Sequence, residues 1–259
     1  MKNRTAIVYA ASGFIIVSLV LAAYFFFRKP EKISPPVLTE GKTALVFKDV
    51  RYSGERKGVI DWEIKAKVAR KYIDKPVVEM EEIEGRYKPK TEAVIWFKGS
   101  KGSMDTEQEQ GRMENVQVFY NQEYTLATQF MEFDFKKGIT TTSAPVEIKG
   151  SQFTLTGIGM VANTKEETVR IEKNVRGSVP TKKGVLNFQS DTFTYRVKDN
   201  LYVLDGNVAM KGEDMDLVSR IAYVYTDGKD LRKIDAQSQV RLVYKGRVAK
   251  SEQAVYHFK

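Results

Sequence analysis

Two short patterns recur along this chain with a common step of about thirty residues, and that step constrains the fold more than any single motif. One is a segment led by an apolar residue and followed by small ones. It recurs at Leu126, Leu155, Phe188, Leu217 and Val248, at intervals of 29, 33, 29 and 31. The other centres on a valine that often follows Asn or Gln. It recurs at Val116, Val146, Val175, Val208 and Val240, at intervals of 30, 29, 33 and 32. Weaker copies run back through Phe97, Ile64 and Ile83. A unit of this length holds two strands and cannot bury its own apolar face, so neighbouring units must stack. A stack of this kind has a long interior and two open edges.

The local patterns agree. Val116, Val118 and Tyr120 fall on one face of an alternating segment, as do Phe193, Tyr195 and Val197. Met131, Phe133 and Phe135 alternate with Glu132 and Asp134. Period-two alternation gives one buried and one wet face. Turn signals fall at Lys137-Gly138, Asp205-Gly206, Lys211-Gly212, Asp227-Gly228 and Lys245-Gly246. The 13 tyrosines and 14 phenylalanines favour sheet over helix. The fold class is all-β. Its inward set is rich in aromatics and Met (Trp62, Met113, Met131, Phe133, Phe153, Met160, Phe193), which suits a dry core and a groove for an apolar ligand equally well.

The amino-terminal part is different. Ile7 to Phe27 carries no charge and is long enough to span a bilayer as a helix. Tyr9 and Tyr24 sit near its ends, where interfacial aromatics gather. Val20 and Ala22 offer a cleavage-like pair, but the apolar run is long for a signal peptide. Residues 1–28 are therefore read as a retained anchor. Pro30, Pro35 and Pro36 make residues 29–42 a stiff stalk. Lys2 and Arg4 face Arg28, Lys29 and Lys32 across the anchor, so charge leaves its orientation open. The net charge is +9, much of it between Arg28 and Lys75, where it forms a solvated face or meets anionic head groups. No nucleic-acid motif accompanies it.

Catalytic and metal-binding chemistry is missing. There is no cysteine, and His257 is the single histidine, so a thiolate nucleophile, a disulfide and a Cys/His zinc site are excluded. Glu79 and Glu81 are expected on one strand face with Glu82 and Glu84 on the other, a charged surface rather than a carboxylate pair across a cleft. Gly157 and Gly159 lie inside a β pattern and mark a bend, not a phosphate loop. No cofactor and no enzymatic activity are expected.

Several of these elements resemble the LptC family of lipopolysaccharide export. Phe47-Lys48-Asp49-Val50 and Gly58-Val59-Ile60-Asp61-Trp62-Glu63-Ile64-Lys65-Ala66 look like its opening strands. Pro145-Val146-Glu147-Ile148 and Leu155-Thr156-Gly157-Ile158-Gly159-Met160 look like its later ones. The remainder is similar to the related LptA/OstA repeat, through Leu204-Asp205-Gly206-Asn207-Val208 and Ile234-Asp235-Ala236-Gln237-Ser238-Gln239-Val240-Arg241. The resemblance divides the soluble part into an LptC-like region, residues 43–180, and an LptA-like extension, residues 181–259.

It implies an open β-jellyroll whose two facing sheets hold acyl chains. It also implies a single-pass inner-membrane protein with its main domain in the periplasm. Such a protein takes lipopolysaccharide from an LptB/LptF/LptG-type ABC transporter and passes it to an LptA-type partner. The implied lining begins with Trp62 and Ile64, continues through Val116, Val118, Met131, Phe133 and Phe135, and then Val146, Ile148, Phe153 and Leu155, ending at Phe193 and Tyr195. All seven prolines lie at or before position 180, so the last strand has no proline guard. Ser251, Gln253, Val255 and His257 are its expected partner-binding edge. A membrane-tethered structural spacer with a dry interior is the alternative.

Overall fold

A computed structural model describes residues 37–38, 44–56, 59–87, 94–120, 124–150, 153–163, 165–196, 198–227 and 230–258. The expected anchor and most of the stalk lie outside them. Among the described residues, no helix is long and apolar enough to cross a membrane. The regular elements are antiparallel strands, grouped in two compact units. One unit runs to Thr142 and takes in Asn163 and Lys165; the other holds Ser143–Ala162 and Glu166 onward.

The first unit contains β1 (Val37–Leu38), β2 (Ala44–Arg56), β3 (Val59–Tyr72), β4 (Val77–Tyr87), β5 (Ile95–Asp105), β6 (Gln110–Tyr120) and β7 (Tyr124–Asp134). Each strand pairs with the next. Two rows of inward residues cross the unit in register. One is Phe47–Ala69–Met80–Gly102–Met113–Met131. In the other, Val50 pairs with Ala66, Ala66 with Ile83, Ile83 with Gly99, and Val116 with Thr128.

The two rows stand three residues apart on every strand. In an unbroken pleat an odd step would turn one of them outward. The chain corrects for this at Asp49, Glu82 and Asn115, whose φ angles of 50°, 49° and 51° place them in the left-handed region. The resulting bend keeps both halves of each strand facing the same interior. Large and small residues alternate along the rows. Gly102 leaves room for the Ile83 side chain, and Gly99 for that of Met113.

β8 (Ile139–Gly150) begins in the first unit and ends in the second. The second unit continues with β9 (Thr154–Asn163), β10 (Thr168–Thr181), β11 (Gly184–Ser190), β12 (Thr192–Arg196), β13 (Leu201–Lys211), β14 (Met215–Asp227), β15 (Asp230–Tyr244) and β16 (Arg247–His257). β11 and β12 act as one bent strand: both pair with β13, and they take opposite ends of β10. Here the bends alternate in kind. Gly157 to Met160 and Ser219 to Ala222 are three-residue inward steps, whereas Leu204 to Val208 and Ala236 to Val240 are four-residue steps with a register shift. Ser190 and Ser219 satisfy their buried hydroxyls by donating to the carbonyl two residues on, Thr192 at 2.8 Å and Ile221 at 3.0 Å. The core of the unit gathers Leu204, Val208, Met210, Leu217, Ile234 and Val240.

Three expectations are corrected. Asp205-Gly206 is not a turn but the bulge inside β13, where Gly206 and Asn207 both have positive φ. Val37–Leu38, within the expected stalk, pairs with Val46 and Leu45. Val248, the leading hydrophobe of the last repeat, is exposed where its counterparts Leu126, Leu155 and Leu217 are buried: it pairs with Val243, and its neighbour Ala249, opposite Leu242, is exposed as well.

Candidate functional site

The interior is the first candidate. Val116, Val118, Met131, Val146 and Leu155 are sealed, each 2% exposed or less, and Tyr195 and Phe135 are buried. Ile64, Phe133, Ile148, Phe153 and Phe193 are half-buried. Trp62 lies in β3, but its side chain is outside the described residues. The half-buried residues are the ones a ligand reaches without displacing protein. Phe133 stacks on Phe135 with ring centroids 5.8 Å apart, because residues two apart share a strand face. Phe133 also lines an open cleft of about 520 Å³ with Met104 and Ile139 and with the charged Arg112, Glu132 and Asp134. In the second unit Tyr195 stacks on Tyr202 at 4.6 Å, and its hydroxyl donates to Asn200.

The outward face is covered by cross-strand charge pairs. Glu79, Glu81, Glu82 and Glu84 do not divide between two faces, because the bend at Glu82 resets the alternation. Glu81 meets Arg70 at 2.6 Å, Glu82 meets Lys67 at 2.8 Å and Glu84 meets Lys98 at 3.4 Å, while Glu79 accepts from the Tyr72 hydroxyl. Such exposed pairs add little stability. Glu63, which the sequence reading passed over, is another matter. Its side chain is buried, with Arg51, Lys65 and Arg86 at 3.5, 3.2 and 3.2 Å. Burial pushes its carboxyl up, but the Lys65 hydrogen bond and the Arg51 and Arg86 charges outweigh this and hold it below the ordinary value.

The second candidate is β16. Phe258 donates from its backbone N–H to the Arg232 carbonyl at 3.0 Å. In an antiparallel pair such bonds fall on alternate residues, so Tyr256 and Ala254 also turn toward β15. The backbone groups of His257, Val255 and Gln253 then face away from it. Gln253 agrees, since its N–H bonds the Ser251 hydroxyl at 3.2 Å rather than the ladder. Ser251, Gln253, Val255 and His257 are all exposed. On the other face Ala254, Tyr256 and Phe258 pack against the core.

Comparison with known proteins gives the family. Residues 14–180, more than half of the chain, match the family described as lipopolysaccharide-assembly, LptC-related. This chain belongs to the LptC family. It is a non-enzymatic component of lipopolysaccharide transport. The family match ends at Pro180 within β10, and the strands from β11 onward lie beyond it. A crystal structure is also similar: LptH, the LptA homologous periplasmic component of the conserved lipopolysaccharide transport device from Pseudomonas aeruginosa. It is 19% identical, with a TM-score of 0.38, over 51% of this chain and 95% of its own. No curated protein matches the chain by sequence.

Proposed function

We propose that this LptC-family chain is a membrane-anchored periplasmic conduit that accepts lipopolysaccharide from an LptB/LptF/LptG-type transporter and passes it to an LptA-type partner. Residues 1–28 hold it in the inner membrane, and the strands form an open jellyroll whose interior carries the acyl chains. The observation that carries this reading is the bend repeated in strand after strand. By resetting the side-chain alternation, it turns both halves of each strand toward one apolar interior. A soluble carrier needs such an enclosure, because each buried CH₂ contributes about 0.8 kcal/mol, on the order of 10 kcal/mol for a long chain. Transfer between similar interiors is close to neutral, so direction comes from the transporter's ATP hydrolysis.

Residues 181–259 extend this interior. β11 with β12, then β13 to β16, add five strand widths, about 24 Å at the usual strand spacing. The open edge of β16 is thereby the handover edge, pairing with a strand of the LptA-type partner. The sealing of Met131 and Val116 favours a second reading, a dry structural spacer.

Photocrosslinking in cells separates the two. A photoreactive residue at Phe133 reports the half-buried inward face, and one at Gln117 the exposed outward face. Lipopolysaccharide adducts at position 133 alone support the conduit. Adducts at neither position, in a protein shown to be folded and membrane-bound, establish the spacer.

A further inference from the structure

Among the described residues, the inward face of the first unit is built mainly from aliphatic, aromatic, Met and Gly residues, and a group of threonines stands out in it. Thr128, Thr140 and Thr142 are buried on β7 and β8. The Thr128 and Thr142 hydroxyls lie 3.5 Å apart and share a hydrogen bond. Thr140 stands two residues before Thr142 on the same inward face of β8, and is fully buried. Its Oγ1 has no hydrogen-bond partner among the described residues. A buried hydroxyl without a partner is costly, and folded proteins rarely keep one. Valine, of nearly the same shape, would remove that cost at this position.

We propose that the Thr128, Thr140 and Thr142 hydroxyls form a polar site in the lipid path. Thr140 is sealed as the interior stands, so the neighbouring side chains must part for a passing acyl chain. Thr140 Oγ1 would then hydrogen-bond a neutral polar group on it, a hydroxyl, ester or amide. The proposal rests on the conduit reading above. The chemistry of the site selects among guests. A threonine hydroxyl both donates and accepts, so it takes any of these groups. The three buried polar residues here are uncharged, so the site offers no counter-charge for a phosphate, whose burial requires one. The headgroup therefore stays outside while the acyl chain is read within. A guest whose polar group reaches Thr140 pauses in a defined register. A plain alkyl chain leaves the hydroxyl unpartnered.

The test uses the full-length chain purified in detergent, with 3-hydroxymyristate and myristate as matched probes in an equilibrium binding assay. The wild type is expected to bind the hydroxylated acid about fivefold more tightly, the worth of one neutral hydrogen bond. Thr140→Val should abolish the preference while still binding both acids, and Thr140→Ser should retain it. Thr140→Val should also keep or raise the thermal midpoint, since no hydrogen bond is lost. Equal binding of the two acids by the wild type, or an unchanged preference in Thr140→Val, overturns the polar site and leaves the conduit standing. A lowered midpoint in Thr140→Val shows that the hydroxyl is already satisfied, and also overturns it. Binding of neither acid removes the conduit reading together with the site.

Discussion

Asn207 donates from Nδ2 to Asp191 Oδ2 at 2.8 Å, tying the bulge of β13 to the bend between β11 and β12. The backbone N–H of Asp191 closes the same junction by donating to the Gly206 carbonyl at 2.8 Å. Asn207 has a φ of 48°, a conformation that Asn tolerates and a β-branched residue does not. Asn207→Val should therefore destabilise the chain by about 2–4 kcal/mol, combining backbone strain with the lost hydrogen bond. Asn207→Gly keeps the backbone and should cost only about 1 kcal/mol. Urea denaturation midpoints check both. Equal losses would mean that the bulge does not depend on the left-handed residue.

Gly177 and Phe188 form a cross-strand pair in β10 and β11. A methyl group at Gly177 would overlap the Phe188 ring and the Thr154 carbonyl oxygen. Gly177→Ala is expected to lower stability by about 1–3 kcal/mol through overpacking. Adding Phe188→Leu should recover part of the loss, because it frees the space that the ring fills. A double mutant less stable than the sum of the two single changes would assign the role of Gly177 to its backbone alone.

Glu63 makes acid stability testable. Its carboxyl is held below the ordinary value of 4.5. A carboxylate depressed in the folded state contributes stability that is complete above its unfolded pKa and is lost as pH falls through the folded value. Wild type should therefore exceed Glu63→Gln in stability at pH 7, and the difference should shrink as pH falls below about 4.5. Thermal midpoints across that range give the answer. A pH-independent gap would show that the glutamate acts by shape and not by charge.

The thirty-residue step was legible because the same inward residue returns at each bend. The valines at 116, 175, 208 and 240 are the first inward residues after it, and Leu126, Leu155, Phe188 and Leu217 stand two before the small residue Thr128, Gly157, Ser190 or Ser219 at its start. The bend itself was not legible. Period-two reading assumes an unbroken pleat, and nothing in the identity of Glu82 announces a positive φ. That assumption divided the Glu79–Glu84 cluster between two faces. Asn115, Asn174 and Asn207 did carry a signal, since Asn adopts the left-handed region more readily than most residues. Glu63 was hidden for a different reason: the cations around it come from three strands, and pairing across strands is not written in local spacing.

The open edge yields the prediction that bears most directly on transport. Val255 sits opposite Asp235, and its backbone N–H faces away from β15. Proline there removes a donor that the fold does not use but an added strand would. Val255→Pro should leave the thermal midpoint within a few degrees of wild type and abolish capture of an LptA-type partner. Tyr256→Pro, one residue on, strikes the ladder to β15 and should lower the midpoint. Binding assays with the purified partner at matched temperature separate the two effects. Partner capture unchanged by Val255→Pro would mean that the handover does not run through β16, and the docking strand would then have to be sought at the opposite edge, along β2.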